Sequence, residues 1–437
     1  TADGRLAFVL PQTRLRSDHD TVSQHLVENY TFERYHRRGA NWFGDEVNMN
    51  STVLQLHADD PEPDERFQSV TLVEDERRRA IDGAVGLTQL EAARSFEVPQ
   101  QRCIDSGEIE PFRYVPDDRI IEQMESSSIP LGALCESKRG VEMGKAGDVI
   151  RCPGCARWTT PPRWPEPDKQ KQCPHCDHTF EYRDRMGDDQ LVTDDPNDGD
   201  VAYIHGDSFG ARYDRLETFG LKRGYDGIRY KDESLYRGEK LFVREAGVGF
   251  TAAYENRTAY CPRSVYVFKI RGSRSEVVEN HSREDSWLDA ESVPELPERE
   301  AFHKFLHGVM NSRLFNYYVF KRFSEVDGAQ SFANLRMGQI RSLPIPVEQS
   351  GTETVEAIAE RVDRLRDGDA ELGGTVDWEI ERRLLDLYGL SNDALAHVNE
   401  QMGLAAYHKK LKELYPDEQP SRPERASAVS LSEGDDD

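Results

Sequence analysis

The chain has 437 residues, of which 37% are hydrophobic and 31% charged, with a formal net charge of -25 at pH 7. That length supplies roughly two to four domains with cores of their own, and no apolar run approaches the roughly 20 residues needed to span a bilayer, so a spanning protein is not expected. The opening TADGRLAFVLPQ lacks a secretory leader pattern, and a start on Thr rather than Met points to a fragment or a processed piece.

Taken in order, GRLAFVL (4–10) reads as a buried strand ended by Pro11, followed by a helix through Val22 and Leu26 capped by Ser17 or Asp18. NMNSTVLQLH (48–57) reads as another strand. Three elements cannot bury both faces of a sheet, so these read as the tail of an αβ sheet with earlier strands missing. HADDPEPDER (57–66) is expected to be a linker, and 84–100 one short amphipathic helix. Residues 129–150 read as turn-rich β structure, and the acidic stretch 188–200 as a gap. KLFVRE, FTAAYE and SVYVFKIR are strand candidates; in the last, Val265 and Val267 alternate with Tyr266, Phe268 and Ile270. Residues 301–323 predict one amphipathic helix carrying Phe302, Phe305, Leu306, Val309 and Met310 and finishing in Lys321 and Arg322. Two more helices follow: one aligns Val355, Ile358, Ala359, Val362 and Leu365, and the other stops at Gly389. Pro416 to Asp437 is expected to be a disordered acidic tail.

The cysteines carry the sharpest chemistry. Cys152, Cys155, Cys173 and Cys176 fit C-x2-C-x17-C-x2-C, two Cys-Pro-x-Cys turns able to complete a tetrahedral four-thiolate site, for which zinc is the expected ion. No position would remain open for water or substrate, so the zinc is structural. His175 and His178 are unneeded as ligands. Between the knuckles, Arg157, Arg163, Lys169 and Lys171 are equally compatible with phosphate contact and with a solvated loop. The remaining cysteines, Cys103, Cys135 and Cys261, lack disulfide spacing, which points to a reducing cytoplasmic compartment. GVGF (247–250) reads as a hairpin turn; there is no Walker A loop, H-E-x-x-H or G-x-S-x-G, and no catalytic residue is assigned.

The charge is uneven. With 81 acids, 43 arginines and only 13 lysines, the chain is expected to be halophilic, adapted to salt that screens self-repulsion; an ordinary acidic protein is the alternative. Residues 201–274 hold 14 Lys/Arg against 9 Asp/Glu, and 301–345 hold 6 against 2, which is how a nucleic-acid footprint stands on an acidic background. Arg229, Lys231, Arg237, Lys240, Arg244 and Arg257 interleave with Tyr225, Tyr230, Tyr236 and Tyr254. Such arginines can fork onto guanine or pin phosphates; the other reading is a solvated sheet face.

GRLAFVLPQ with VNMNSTVLQL resembles the last strands of a class I DNA adenine-N(6) methyltransferase domain. LGALCESKRGVEMGK, YIHGDSFGARY, GEKLFVREAGVGFTAAYENRTAYCPRSVYVFK and VMNSRLFNYYVFKRF…LRMGQIRSLPIP resemble the TaqI-like C-terminal specificity domain of type II and BREX-like restriction-modification methylases. LLDLYGLSNDAL is similar to the helical end of the same proteins. The resemblance implies double-stranded DNA as partner and an α+β chain. Its parts are a Rossmann-like methyltransferase remnant (1–57), a connector (58–128), a target-recognition domain (129–345) with a zinc ribbon (150–182), C-terminal helices (346–415) and a tail (416–437). The DNA-binding candidates are then Arg139, Lys145, Arg229, Arg237, Lys240, Arg244, Tyr254, Arg257, Lys321, Arg322, Arg336 and Arg341. The family binds S-adenosylmethionine through a glycine-rich motif and holds a flipped adenine with Asn/Asp-Pro-Pro-Tyr/Phe. Neither occurs here, since Asp60-Pro61 and Asp195-Pro196 lack the second proline and aromatic. The resemblance therefore implies target recognition for a methyltransferase whose catalytic portion or subunit lies elsewhere, without methyl transfer by this chain alone. A non-enzymatic zinc-ribbon specificity subunit recruiting a catalytic partner is the alternative. A nuclease is a third reading, for which no acidic metal-binding cluster speaks.

Overall fold

Leu54 and Leu56, two residues apart on β3 (Ser51–His57), point into the first core while Gln55 points out. In the computed structural model this strand sits inside a five-stranded sheet of order β1-β3-β2-β4-β5, with β1 Arg5–Pro11, β2 Thr31–Gly39, β4 Arg66–Thr71 and β5 Ser95–Pro99. The structure describes residues 4–11, 20–39, 51–62, 64–71, 79–89, 95–106, 119–126, 128–144, 147–210, 212–247, 249–271, 298–323, 333–347, 351–403 and 414–415. Helices α1 (Asp20–Asn29) and α2 (Gln100–Ser106) bring Val27 and Cys103 against Phe32, Tyr35, Phe67 and Val98. Buried Gln100 ties the layers: its amide donates to the carbonyls of Val27 (2.9 Å) and Tyr30 (2.6 Å) and its oxygen accepts from the Phe32 N–H (2.9 Å).

Two expectations change here. Residues 57–66 connect β3 to β4 of the same sheet instead of leading out of it. Of the helix expected over 84–100, residues 87–89 are helical, but 95–99 form β5 against β4, with Glu97 exposed and Val98 buried as the period of a strand requires. Only β2–β4 is parallel among the pairings of this sheet, so its topology is mostly antiparallel.

The second sheet, order β8-β7-β9-β6, is antiparallel throughout: β6 Cys135–Arg139, β7 Lys240–Arg244, β8 Ala252–Glu255 and β9 Val265–Ile270. The alternation read in SVYVFKIR appears as two buried faces. Tyr266, Phe268, Ile270, Leu241 and Val243 enter a helical core; Val265, Val267 and Phe242 enter a second core with Val149, Tyr203 and Tyr260. GVGF lies in the connection between β7 and β8, as the hairpin reading expects, and Ala246–Gly247 also pairs with Ala333–Asn334. The acidic stretch 188–200 carries short strands, Gly187–Gln190 and Val192–Thr193, where Asp189 accepts from Tyr225 Oη and pairs with Lys222 (3.2 Å).

The single helix expected over 301–323 is two, α3 (Arg299–Met310) and α4 (Arg313–Phe323). Asn311 breaks it because its amide closes a pair of bonds with the Ala252 backbone, accepting at 3.1 Å and donating at 2.9 Å. Ser312 Oγ then accepts from the Phe315 N–H (3.0 Å), and Asn316 grips the Phe250 backbone in the same way as Asn311 grips Ala252. After the short α5 (Met337–Arg341) come α6 (Thr352–Arg366), α7 (Thr375–Leu387) and α8 (Asn392–Gly403). Val355, Ile358, Ala359, Val362 and Leu365 are all buried on α6, and Gly389 follows α7 in the left-handed region (φ 66).

A fully buried ionic cluster joins these helices to the strands. Arg212 pairs with Asp377, donates to the carbonyls of Asn311 (2.9 Å) and Leu414 (2.7 Å), and lies 4.3 Å from the Tyr415 ring. Arg313 reaches Asp377 (3.3 Å) and Glu381 (3.5 Å) and stacks over Trp378. Burial works against Asp377 ionising, but Arg212 and Arg313 outweigh it and hold its carboxyl below the ordinary range. Among the described residues no helix is long and apolar enough to cross a membrane.

Candidate metal centre and nucleic-acid interface

Each knuckle is closed by the same pair of backbone bonds. Cys152 N–H donates to Arg157 O (2.9 Å) and Ala156 N–H to Cys152 O (2.9 Å); Cys173 N–H donates to His178 O (2.9 Å) and Asp177 N–H to Cys173 O (3.0 Å). Ala156 (φ 57) and Asp177 (φ 58) take the left-handed conformation that turns each loop back on itself. The four ligand sulfurs lie within 4.8 Å of one another. Cys152 and Cys176 sulfurs are 3.8 Å apart, and those of Cys155 and Cys173 3.7 Å. A tetrahedron with metal–sulfur bonds of about 2.3 Å has edges of about 3.8 Å, so the cage is sized for a four-thiolate metal ion. Ile150, Phe180 and Tyr182 pack around it. His175 is engaged with Trp158 O (3.2 Å) and His178 stacks on Phe180, so neither joins the cage.

The ribbon is fastened to the body by Trp158. Its backbone N–H donates to Asp226 O (2.8 Å), its ring meets Tyr225 edge-on at 5.2 Å, and Arg157 pairs with Asp226 at 3.2 Å.

The predicted DNA-binding side chains do not share one environment. Tyr254 is buried beneath Arg366 (4.8 Å) and Lys304 (5.8 Å), which removes it from any surface. Lys240 is buried too, its ammonium donating to the carbonyls of Gly238 (3.0 Å) and Arg257 (2.5 Å); burial pulls its pKa down to about 8. Both hold the hairpin together, because β7 and β8 are covered on both faces. Arg237 and Arg257 are exposed but occupied, by Glu233 (2.8 Å) and by Glu255 at 2.9 and 2.6 Å. Lys321 lies buried over Tyr317 (5.6 Å), and Arg322 pairs with Glu125 (3.2 Å). Arg336, exposed, opens α5, and Arg341 in its last turn sits against Gly132. Lys145 lies outside the described residues.

Arg139, Arg229 and Arg244 are different. Arg139 and Tyr266 both donate to Glu245 (2.7 and 2.9 Å), a buttress under the end of β7. Arg244, the last residue of β7, is half-buried and forms no ion pair with any described residue. Its Nε is buried without a partner and its guanidinium lies 5.9 Å from the Phe209 ring. Burial lowers its pKa, opposed by Asp207. Arg229 is exposed and also unpaired among the described residues. It stands with Lys231 and Arg263 around Glu142: first the Lys231 hydrogen bond (3.1 Å), then the charges of Lys231, Arg229 and Arg263, hold that carboxyl low against its burial. Arg263 was not singled out from the sequence. It occupies the turn before β9, which the Val141–Pro262 bridge and the bonds from Gly140 N–H to Val265 O (3.1 Å) and Val141 N–H to Cys261 O (2.8 Å) bring beside Glu142.

No family model and no curated protein matches this sequence. Among solved structures, the chain is similar at 11% identity to the type IIG restriction endonuclease BpuSI, over 96% of this chain and 48% of that one, with a TM-score of 0.34. It is similar at 10% identity to the type IIL restriction-modification enzyme MmeI in complex with DNA, over 94% and 50%, TM-score 0.44. A nuclease-deletion mutant of the type ISP restriction-modification enzyme LlaGI, in complex with a DNA substrate mimic, matches at 9% identity over 84% and 30%, TM-score 0.42. The chain thus spans half or less of the length of these enzymes. Such TM-scores fall short of a shared fold, and the chemistry of the site rests on its own side chains.

Proposed function

We propose that this chain is the DNA target-recognition part of a site-specific DNA adenine-N(6) methyltransferase of restriction-modification type. Base flipping and methyl transfer from S-adenosylmethionine fall to a catalytic portion or subunit carrying the two motifs this sequence lacks. The observation that carries the reading is Arg244. A half-buried guanidinium with an unpartnered Nε and no ion-paired carboxylate among the described residues, Asp207 acting on it only through its charge, is costly to keep unless a ligand completes it. An acceptor pair such as guanine O6/N7, or a backbone phosphate, is what such a fork fits. Buttressing by Arg139, Glu245 and Tyr266 supports a rigid presentation of it. Zinc in the Cys152–Cys176 cage fits as the structural ion of the ribbon.

The test is fluorescence anisotropy on labelled duplexes, with folding checked at each salt. Arg244→Ala should cost about 1–3 kcal/mol and relax preference at one position if Arg244 reads a base. Gly247→Ala gives a charge-neutral control: a Cβ there would meet the Arg244 guanidinium at 1.9 Å and displace it. The two variants should lose affinity together. Binding equal to wild type by both, on every duplex, would return Arg244 to the role of a surface residue.

A further inference from the structure

Where the ribbon meets the body there is a cleft of about 130 Å³, lined by Thr159, Thr160, Pro174 and His175 from the ribbon and by Glu142, Gly227, Ile228 and Arg229 from the body. Two unspent donors face it. Thr159 is only 3% exposed, yet its hydroxyl forms no hydrogen bond with any described residue. Arg229, at the opposite wall, forms no hydrogen bond or ion pair with any described residue, while Glu142 is held by Lys231. The approach of the two walls depends on glycine: Gly227 has φ +101, and a Cβ there would meet Trp158 O at 2.4 Å and His175 Nε2 at 2.9 Å.

We infer that this cleft binds a phosphate group of the DNA backbone, with the ribbon supplying Thr159 and the body Arg229. The inference rests on the DNA-recognition reading above and adds a second contact, away from Arg244. Three cations stand at Glu142 against its single charge, so the rim is net positive before any ligand arrives. A cleft that presents a threonine hydroxyl on one wall and a guanidinium on the other offers two donors that suit a tetrahedral oxyanion. The metal cage then has a consequence for binding, since it fixes the wall that carries Thr159.

The experiment is a salt-dependent titration of duplex DNA by the full chain, its Thr159→Val and Arg229→Ala variants, and Arg244→Ala. Both cleft variants should weaken binding by the same factor on every sequence. Arg229→Ala should lower the slope of log affinity against log salt by about one. Combined, the two should lose less than the product of their separate effects, because they meet one ligand. Wild-type affinity and slope in both cleft variants, with Arg244→Ala weakened, would overturn the cleft and leave the recognition reading standing. No binding of any duplex by folded wild type would overturn both. A parallel calorimetric titration with inorganic phosphate alone should show no saturable binding at millimolar phosphate. Saturable binding abolished by Arg229→Ala, with DNA affinity unchanged, would assign the cleft to free phosphate instead.

Discussion

Arg212 and Asp377 show what a residue can do when no water reaches it. Their pair is fully buried and completed by Arg313 and Glu381, so removing one charge strands the others. Asp377→Asn should destabilise the chain by about 3–5 kcal/mol, read from the urea midpoint, whereas breaking the exposed Arg237–Glu233 pair should leave that midpoint near the wild-type value. Two buried histidines add a pH signature. Burial, as the leading cause, depresses the pKa of His303 to about 4 and of His307 to about 3. Their stability contribution is complete above the unfolded value near 6.5 and is lost as pH falls toward those numbers, at about 1.4 kcal/mol per pH unit for each proton excluded. Urea midpoints should fall between pH 7 and pH 5, less steeply in His303→Gln; equal slopes would contradict this. At this scale the sequence was a poor guide. Lys240 and Tyr254 shared the basic and aromatic pattern of Arg244, and nothing in one strand's spelling told that both faces would be covered.

At the scale of elements, spacing spoke more clearly than composition. C-x2-C-x17-C-x2-C carried the ribbon because four thiolates at that spacing have one economical arrangement, and the sulfur separations match it. The stripe on α6 was equally legible. The break at Asn311–Ser312 was not, since it depends on where the Ala252 backbone lies, and helical period alone runs through it. β4 is hidden behind a polar stretch that suits a linker as well as a tight connection between strands, and β5 behind the helical spacing of 84–100. The ribbon yields its own prediction: Cys173→Ser, or chelation, should release about one zinc per chain and raise amide exchange across 150–182. Exchange in α3 and α4 should stay as in wild type, because their core is separate from the ribbon's.

For the whole molecule, the decisive contrast lies between a net charge of -25 and the local gathering of Arg229, Lys231 and Arg263 around Glu142, with Arg244 as a separate cation. On the proposed reading the acidic remainder would repel DNA at long range, and binding would rest on these local cations. Without the cofactor and adenine-pocket motifs, labelled S-adenosylmethionine should transfer no methyl group to DNA with this chain alone. Site-specific recognition of duplex DNA is the central claim, and selection of a random duplex library by the full chain, sequenced after several rounds at graded salt, tests it most directly. Enrichment of one short motif is expected, with a defined position lost when Arg244 is replaced by alanine. A folded, metal-loaded chain that enriches no motif at any salt would contradict it.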